Sequence, residues 1–128
     1  MINIPVSVGE LIDKLSILQI KKTRISDSEK LQHINNEFEL LYNLSAEYLN
    51  HMLIENLYHE LVKINSHLWE IRNRLKILEK NSRFEGEFID SSRKYYITND
   101  KRFELKNEIN SITSSEILEV KEYVDYKK

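Results

Sequence analysis

IENLYHELVKINSHLWEIRNRLKIL, residues 54–78, sets Ile54, Leu57, Leu61, Ile64, Leu68, Ile71, Leu75 and Leu78 at alternating three- and four-residue steps. That spacing follows the 3.6-residue turn of an α-helix and places these side chains on one stripe. The stretch lies inside a longer run, from Gly9 to Gly86, with no glycine or proline between its ends. Without a breaker residue, amphipathic helices run long, and the expected fold class is all-α.

Working outward, Leu31, Ile34, Phe38, Leu41, Tyr48 and Met52 form an earlier seam with Ser45 as its one polar position. Continuing that seam would select Glu55 and His59, so the two stripes are out of phase. The break predicts a tight antiparallel hairpin near Leu49 to Leu53, with Asn50 left-handed; one very long helix is the alternative. Ser26 with Glu29 reads as the capping box that opens this segment. Ser7 with Glu10 reads as another, opening a first helix to about Ile25. Leu11, Leu15, Leu18 and Ile25 are its seam, and Ile12, Ile17 and Ile20 widen it, so more than one helix packs there. Met1 to Val6 is an extended lead-in.

Downstream, the third helix stops near Asn81 to Gly86. Phe84, Phe88, Ile89 and Tyr96 predict a shorter fourth helix. Thr98 or Asn99 is read as the cap of a fifth, carrying Leu105, Ile109 and Ile112 and ended by the following serines. Ile117, Val120, Tyr123 and Val124 predict a docked tail between Glu116 and Tyr126. The expected architecture is a single helical domain over residues 1–128: an antiparallel helical bundle with a long central helical hairpin and two shorter C-terminal helices.

At 41% hydrophobic and 31% charged over 128 residues, the chain suits one modest core with narrow apolar stripes. A formal net charge of −2 lacks the basic footprint of a nucleic-acid binder. The charge is uneven: residues 27–71 hold eight acids and two bases, residues 72–106 six acids and ten bases. Complementarity between helices or subunits is one reading; an anion site in the basic half is the other. Absence of cysteine removes thiolate catalysis and Cys-type zinc sites. The N-terminus has no signal-peptide pattern and no stretch has transmembrane length, so a cytoplasmic location without membrane insertion is expected.

Catalytic motifs are mostly excluded. His51, His59 and His67 stand eight residues apart, and a helix turns each by about 80° from the last, so they share no face. There is no Glu-x-x-His pair of a di-iron bundle, no Glu-Glu-x-x-Glu magnesium cluster, and too little glycine for a phosphate loop or a nucleophile elbow. Neither a metal site nor a cofactor is expected. Leu11-Ile12-Asp13-Lys14-Leu15 with Arg24 looks like the first helix of all-helical chorismate mutases. The early arginine and the later acid-and-glutamine set of that family are missing.

Two polar groupings remain. The first is Glu10, Asp13, Lys14 and Lys21 on the first helix, where local ion pairing accounts for part of the pattern. The second is Arg93, Tyr96, Asn99, Asp100, Arg102, Lys106 and Asn110. Arg102, Lys106 and Asn110 recur every four residues beside Leu105 and Ile109. Such a stripe suits a phosphate or carboxylate through charge-assisted hydrogen bonds, or else ties helices together. Trp69 either packs against another helix or offers a stacking face to a base or sugar.

Three stretches carry a likeness to a family: Val6-Ser7-Val8-Gly9-Glu10-Leu11-Ile12-Asp13-Lys14 continuing through Ile17, Leu18 and Lys21; Asn65 with Leu68, Trp69 and Ile71; and Arg93, Tyr96, Asn99, Asp100, Arg102, Lys106, Ile109 and Asn110, followed by Glu119, Lys121, Tyr123 and Tyr126. In these the chain resembles an uncharacterised family of small helical proteins from bacteria and phages, often encoded among surface-polysaccharide and glycosyltransferase genes. It departs from the family's pattern at Arg72 and Asn73, where acids are usual, at Ser114 and at Val120. The resemblance implies a setting and no activity.

Two functions are expected. One is a non-catalytic helical interaction module, homo-oligomeric or bound to a glycosyltransferase through seam residues such as Leu61 and Leu68, and accessory to surface-polysaccharide synthesis. The other is a site for an anionic small molecule, a nucleotide-sugar or sugar phosphate, lined by Glu10, Asp13, Lys14, Tyr96, Asn99, Asp100, Arg102, Lys106 and Asn110. An enzyme of that kind would use Asp13 or Asp100 as base, with Arg102 and Lys106 stabilising charge.

Overall fold

The computed structural model describes residues 1–114 and 125–127, and among them it is all-α, with four helices and no strand. They are α1 (Val8–Arg24), α2 (Ser28–Leu49), α3 (Met52–Lys80) and α4 (Gly86–Thr113). The tail expected from Ile117, Val120, Tyr123 and Val124 lies outside the described residues.

Each boundary has a local cause. Ser7 Oγ accepts from the Glu10 amide at 3.1 Å and starts α1, with Glu10 in its first turn and Lys21, Lys22 and Arg24 in its last. Those charges oppose the helix dipole at both ends. The cap of α2 is Asp27, whose Oδ1 accepts from the Lys30 amide at 2.9 Å, in place of the expected Ser26. The hairpin turn falls at Asn50 and His51, as the phase break predicts. Asn50 is right-handed at φ −66°, however, not left-handed. The chain turns through extended His51, whose Nδ1 accepts from the Leu53 amide at 3.2 Å and caps α3. At the far end of α3, Ser82 takes the left-handed conformation (φ 53°), and the Arg83 amide reaches back to the Leu78 carbonyl at 2.8 Å.

Two expectations are corrected. The shorter fourth and fifth helices are one continuous helix, α4, and Thr98 and Asn99 are interior to it. The positions α4 buries are Thr98, Lys106, Ile109 and Asn110, so polar residues hold its inward face and the apolar period breaks in the sequence although the helix does not. The central element is also not the α2–α3 hairpin. Ser45 is the only buried residue of α2, and α3 packs far more extensively on α4 than on α2. α1 and α3 each contact all three other helices, and α1 buries Gly9, Ile12, Asp13, Leu15, Ser16, Leu18 and Ile20 around its circumference.

Ile12, Ile54, Leu57, Leu61 and Ile109 form the core cluster where α1, α3 and α4 meet. Leu61 and Leu68 are buried within the chain itself. At the α3–α4 turn, Arg74 grips both oxygens of Glu87, with Nη2 2.7 Å from Oε1. That hydrogen bonding holds the Glu87 carboxyl below its usual range.

α4 passes α1 in the opposite direction, pairing Gly9 with Asn110, Glu10 with Lys106 and Asp13 with Arg102. The approach is closest at Gly9, where a Cβ would stand 2.3 Å from the Lys106 carbonyl oxygen and 2.8 Å from Asn110 Oδ1. An ordinary helical Gly→Ala change stabilises by about 1 kcal/mol. Here the sign should reverse: Gly9→Ala is expected to lower unfolding free energy by about 1–3 kcal/mol through overpacking. Urea unfolding measures it, and a stabilised variant would refute the close approach.

Candidate functional site

Asp13 lies in the first half of α1 and is only 1% exposed. A carboxylate taken out of water needs donors, and α1 has none to offer it. They come from the other two helices. Asp13 Oδ1 accepts from Asn65 Nδ2 of α3 at 3.0 Å and from Arg102 Nε of α4 at 2.9 Å. Asp13 Oδ2 accepts from Arg102 Nη2 at 2.5 Å, so the guanidinium grips both oxygens in a fork. Lys106 Nζ lies 3.9 Å from the same Oδ2 and donates to Glu10 Oε2 at 2.7 Å.

Further contacts fix these groups. Asn65 Nδ2 also donates to Ser16 Oγ at 2.8 Å, and that hydroxyl donates to the Asp13 carbonyl at 2.6 Å. Asn99 Oδ1 accepts from Arg102 Nη1 at 3.3 Å. One turn toward the start of α1, the Gly9 amide donates to Asn110 Oδ1 at 2.7 Å. Asn110 Nδ2 and Asn107 Oδ1 are buried with no protein hydrogen bond. Within this network, Glu10 and Asp13 offset the charges of Arg102 and Lys106.

Of the residues read from the sequence, the fold thus gathers Glu10, Asp13, Asn99, Arg102, Lys106 and Asn110. It does not gather the rest. Lys14 is exposed and lies 3.7 Å from Glu37 of α2. Tyr96 and Asp100 form a separate set with Tyr126: the two tyrosine rings meet edge to face at 5.5 Å, and Tyr126 Oη donates to Asp100 Oδ2 at 2.5 Å. Gly9, Ser16 and Asn65 were not among the residues read as a site. Asn65 did carry a signal, since it stands four residues after Leu61 and three before Leu68, on the seam itself.

Among the described residues no group of three or more His, Asp, Glu or Cys could hold a metal ion. His51 caps α3 and His59 lies 3.7 Å from Glu55. No helix there is long and apolar enough to cross a membrane.

One family model matches the chain, described as a family of unknown function (DUF6165), over residues 2–126. No curated protein and no solved structure matches it.

Removing the buried carboxylate should be costly. Asp13→Ala leaves the donors of Asn65 and Arg102 without their shared acceptor, and a loss of about 3–5 kcal/mol of unfolding free energy is expected. Lys14→Ala breaks only an exposed pair and should cost under about 1 kcal/mol. Urea denaturation of both variants makes the comparison; equal losses would mean that the network does not hold the helices together.

Proposed function

The chain belongs to this family of unknown function, and from its own residues we propose that it is a non-catalytic helical interaction module that self-associates through α2. The four helices form an up-and-down bundle with α2 on its outside. One observation carries the reading. Leu40 and Leu44 of α2, one turn apart on the same face, stay 47% and 58% exposed, on a helix whose only buried residue is Ser45. Met52 and Leu53, just past the turn, are exposed as well. Single exposed leucines are ordinary, and two stacked on one face of a helix that is otherwise barely buried are what motivate a contact surface there.

The partner surface is therefore not the one expected from the sequence. Leu61 and Leu68 are used inside the chain, and substituting them would test folding, not association. Closed symmetry makes a second copy of the same helix the natural partner. A glycosyltransferase, in the surface-polysaccharide setting that the family resemblance implies, is the heterologous partner to try next.

Sedimentation velocity on the purified chain is the test. The wild type is expected to form a dimer at micromolar concentration, and Leu40→Glu with Leu44→Glu to shift it to monomer while helical circular dichroism stays unchanged. A monomeric wild type, or a dimer indifferent to both substitutions, would overturn self-association through α2.

A further inference from the structure

Beyond the buried network, the α1–α3–α4 interface opens into a cleft of about 150 Å³. Its apolar floor is Ile17, Ile20 and Leu68. Around the floor stand Lys21 from α1, Arg72 from α3 and Arg102 from α4, with Asn65 and Trp69 beside them. Among the described residues no carboxylate lines it.

Two acids of the neighbouring turns are already engaged. Asp13 is held by the Arg102 fork, and Glu70 accepts from Arg24 Nη2 at 3.2 Å. Lys21 makes no ion pair among the described residues. Arg72 donates to the hydroxyl of Tyr95 at 2.8 Å, a neutral partner that leaves its charge unbalanced. Arg102 is pinned at one edge by Asp13 and Asn99, so it meets a ligand without first being ordered. The cleft thus concentrates positive charge over an apolar floor, with one guanidinium already fixed.

From this geometry we infer that the cleft binds the phosphate group of a small phosphorylated molecule. A phosphate offers several acceptor oxygens and close to two negative charges, which matches the two cations of this cleft that no acid balances, Lys21 and Arg72, better than a single carboxylate does. Size limits the rest of the ligand. Drug-sized ligands occupy roughly 300–1,000 Å³, so a nucleotide-sugar does not fit inside, whereas a phosphate with a small body against Trp69 does. The inference goes beyond self-association. The cleft takes no residue from α2, so either proposal can fail while the other stands.

Trp69 is the only tryptophan in the chain and lines this cleft, so its fluorescence reports a ligand there. The probe is inorganic phosphate, titrated at constant ionic strength against sodium chloride. A saturable change in Trp69 emission with phosphate and none with chloride is expected. Each of Lys21→Gln and Arg72→Gln should weaken it by about tenfold or more, as the loss of one charge-assisted hydrogen bond implies. A phosphate-dependent rise in melting temperature should accompany it and vanish in the double variant. The inference is overturned if chloride reproduces the change. It is equally overturned if the double variant, folded by circular dichroism, responds like the wild type.

Discussion

The Asp13 carboxylate is where the structure is decided. An ionised group 1% exposed is unstable unless every direction it faces supplies a donor. Two of its donors sit on Arg102, in the last third of the chain, and one on Asn65, in the middle. Meeting them fixes the rotation of α1, α3 and α4 about their own axes together. Apolar packing alone would leave that rotation poorly determined, since isoleucine and leucine contacts can slide by a residue at modest cost. A buried ionic network need not be more stable than an apolar replacement of the same shape. Its geometric demands are sharper, and here they select one register. Gly9 enforces the same register from the steric side, because α4 comes too close there for any side chain.

This explains which parts of the fold were legible in the sequence. The existence of α1, α2 and α3, the buried seam of α3 and the turn near Asn50 follow from apolar period and phase, which are local properties. The expected α2 seam, by contrast, buries only Ser45, and its last member, Met52, lies exposed in α3. α4 was not legible as one helix because its inward positions include Thr98, Lys106 and Asn110. Read locally, those polar residues resemble a cap and a solvated stripe. They are inward because their partners lie about a hundred residues away on α1. The missed cap at Asp27 is a smaller case, decided between adjacent polar residues that compete for the same role.

The candidate site was legible in its members but not in its meaning. Glu10, Asp13, Asn99, Arg102, Lys106 and Asn110 were all named, yet a stripe of cations looks the same in sequence whether acids face it or a ligand does. Only the fold reveals that Asp13 and Glu10 stand opposite. Asn65 and Ser16 could have been suspected on one ground: a small polar residue in phase with apolar ones, Leu61 and Leu68 for Asn65 and Ile12 and Ile20 for Ser16, must find a hydrogen bond inside. Lys14 was grouped with Glu10 and Asp13 on local spacing along α1. Neighbours on a helix point about 100° apart, and Lys14 accordingly faces Glu37 of α2.

Charge complementarity works through α1, not between the acidic arm and the basic segment directly. Among the described residues, Arg102 and Lys106 pair with Asp13 and Glu10 of α1, while Glu37 and Glu70 pair with Lys14 and Arg24 of α1. α1 can serve both because its acids lie in its first half and its bases mostly in its last turn, the order its dipole favours. The consequence is an asymmetric interface. At the start of α1 the acids close the contact with α4, and the pairing there is neutral. Toward its end the helix presents Lys21 beside Arg72 and the Asp13-bound Arg102, and no acid among the described residues pairs with Lys21 or Arg72. Like charges brought together by folding raise its free energy unless an anion joins them. The same charge order that seals one end of the helix interface therefore makes the other end receptive.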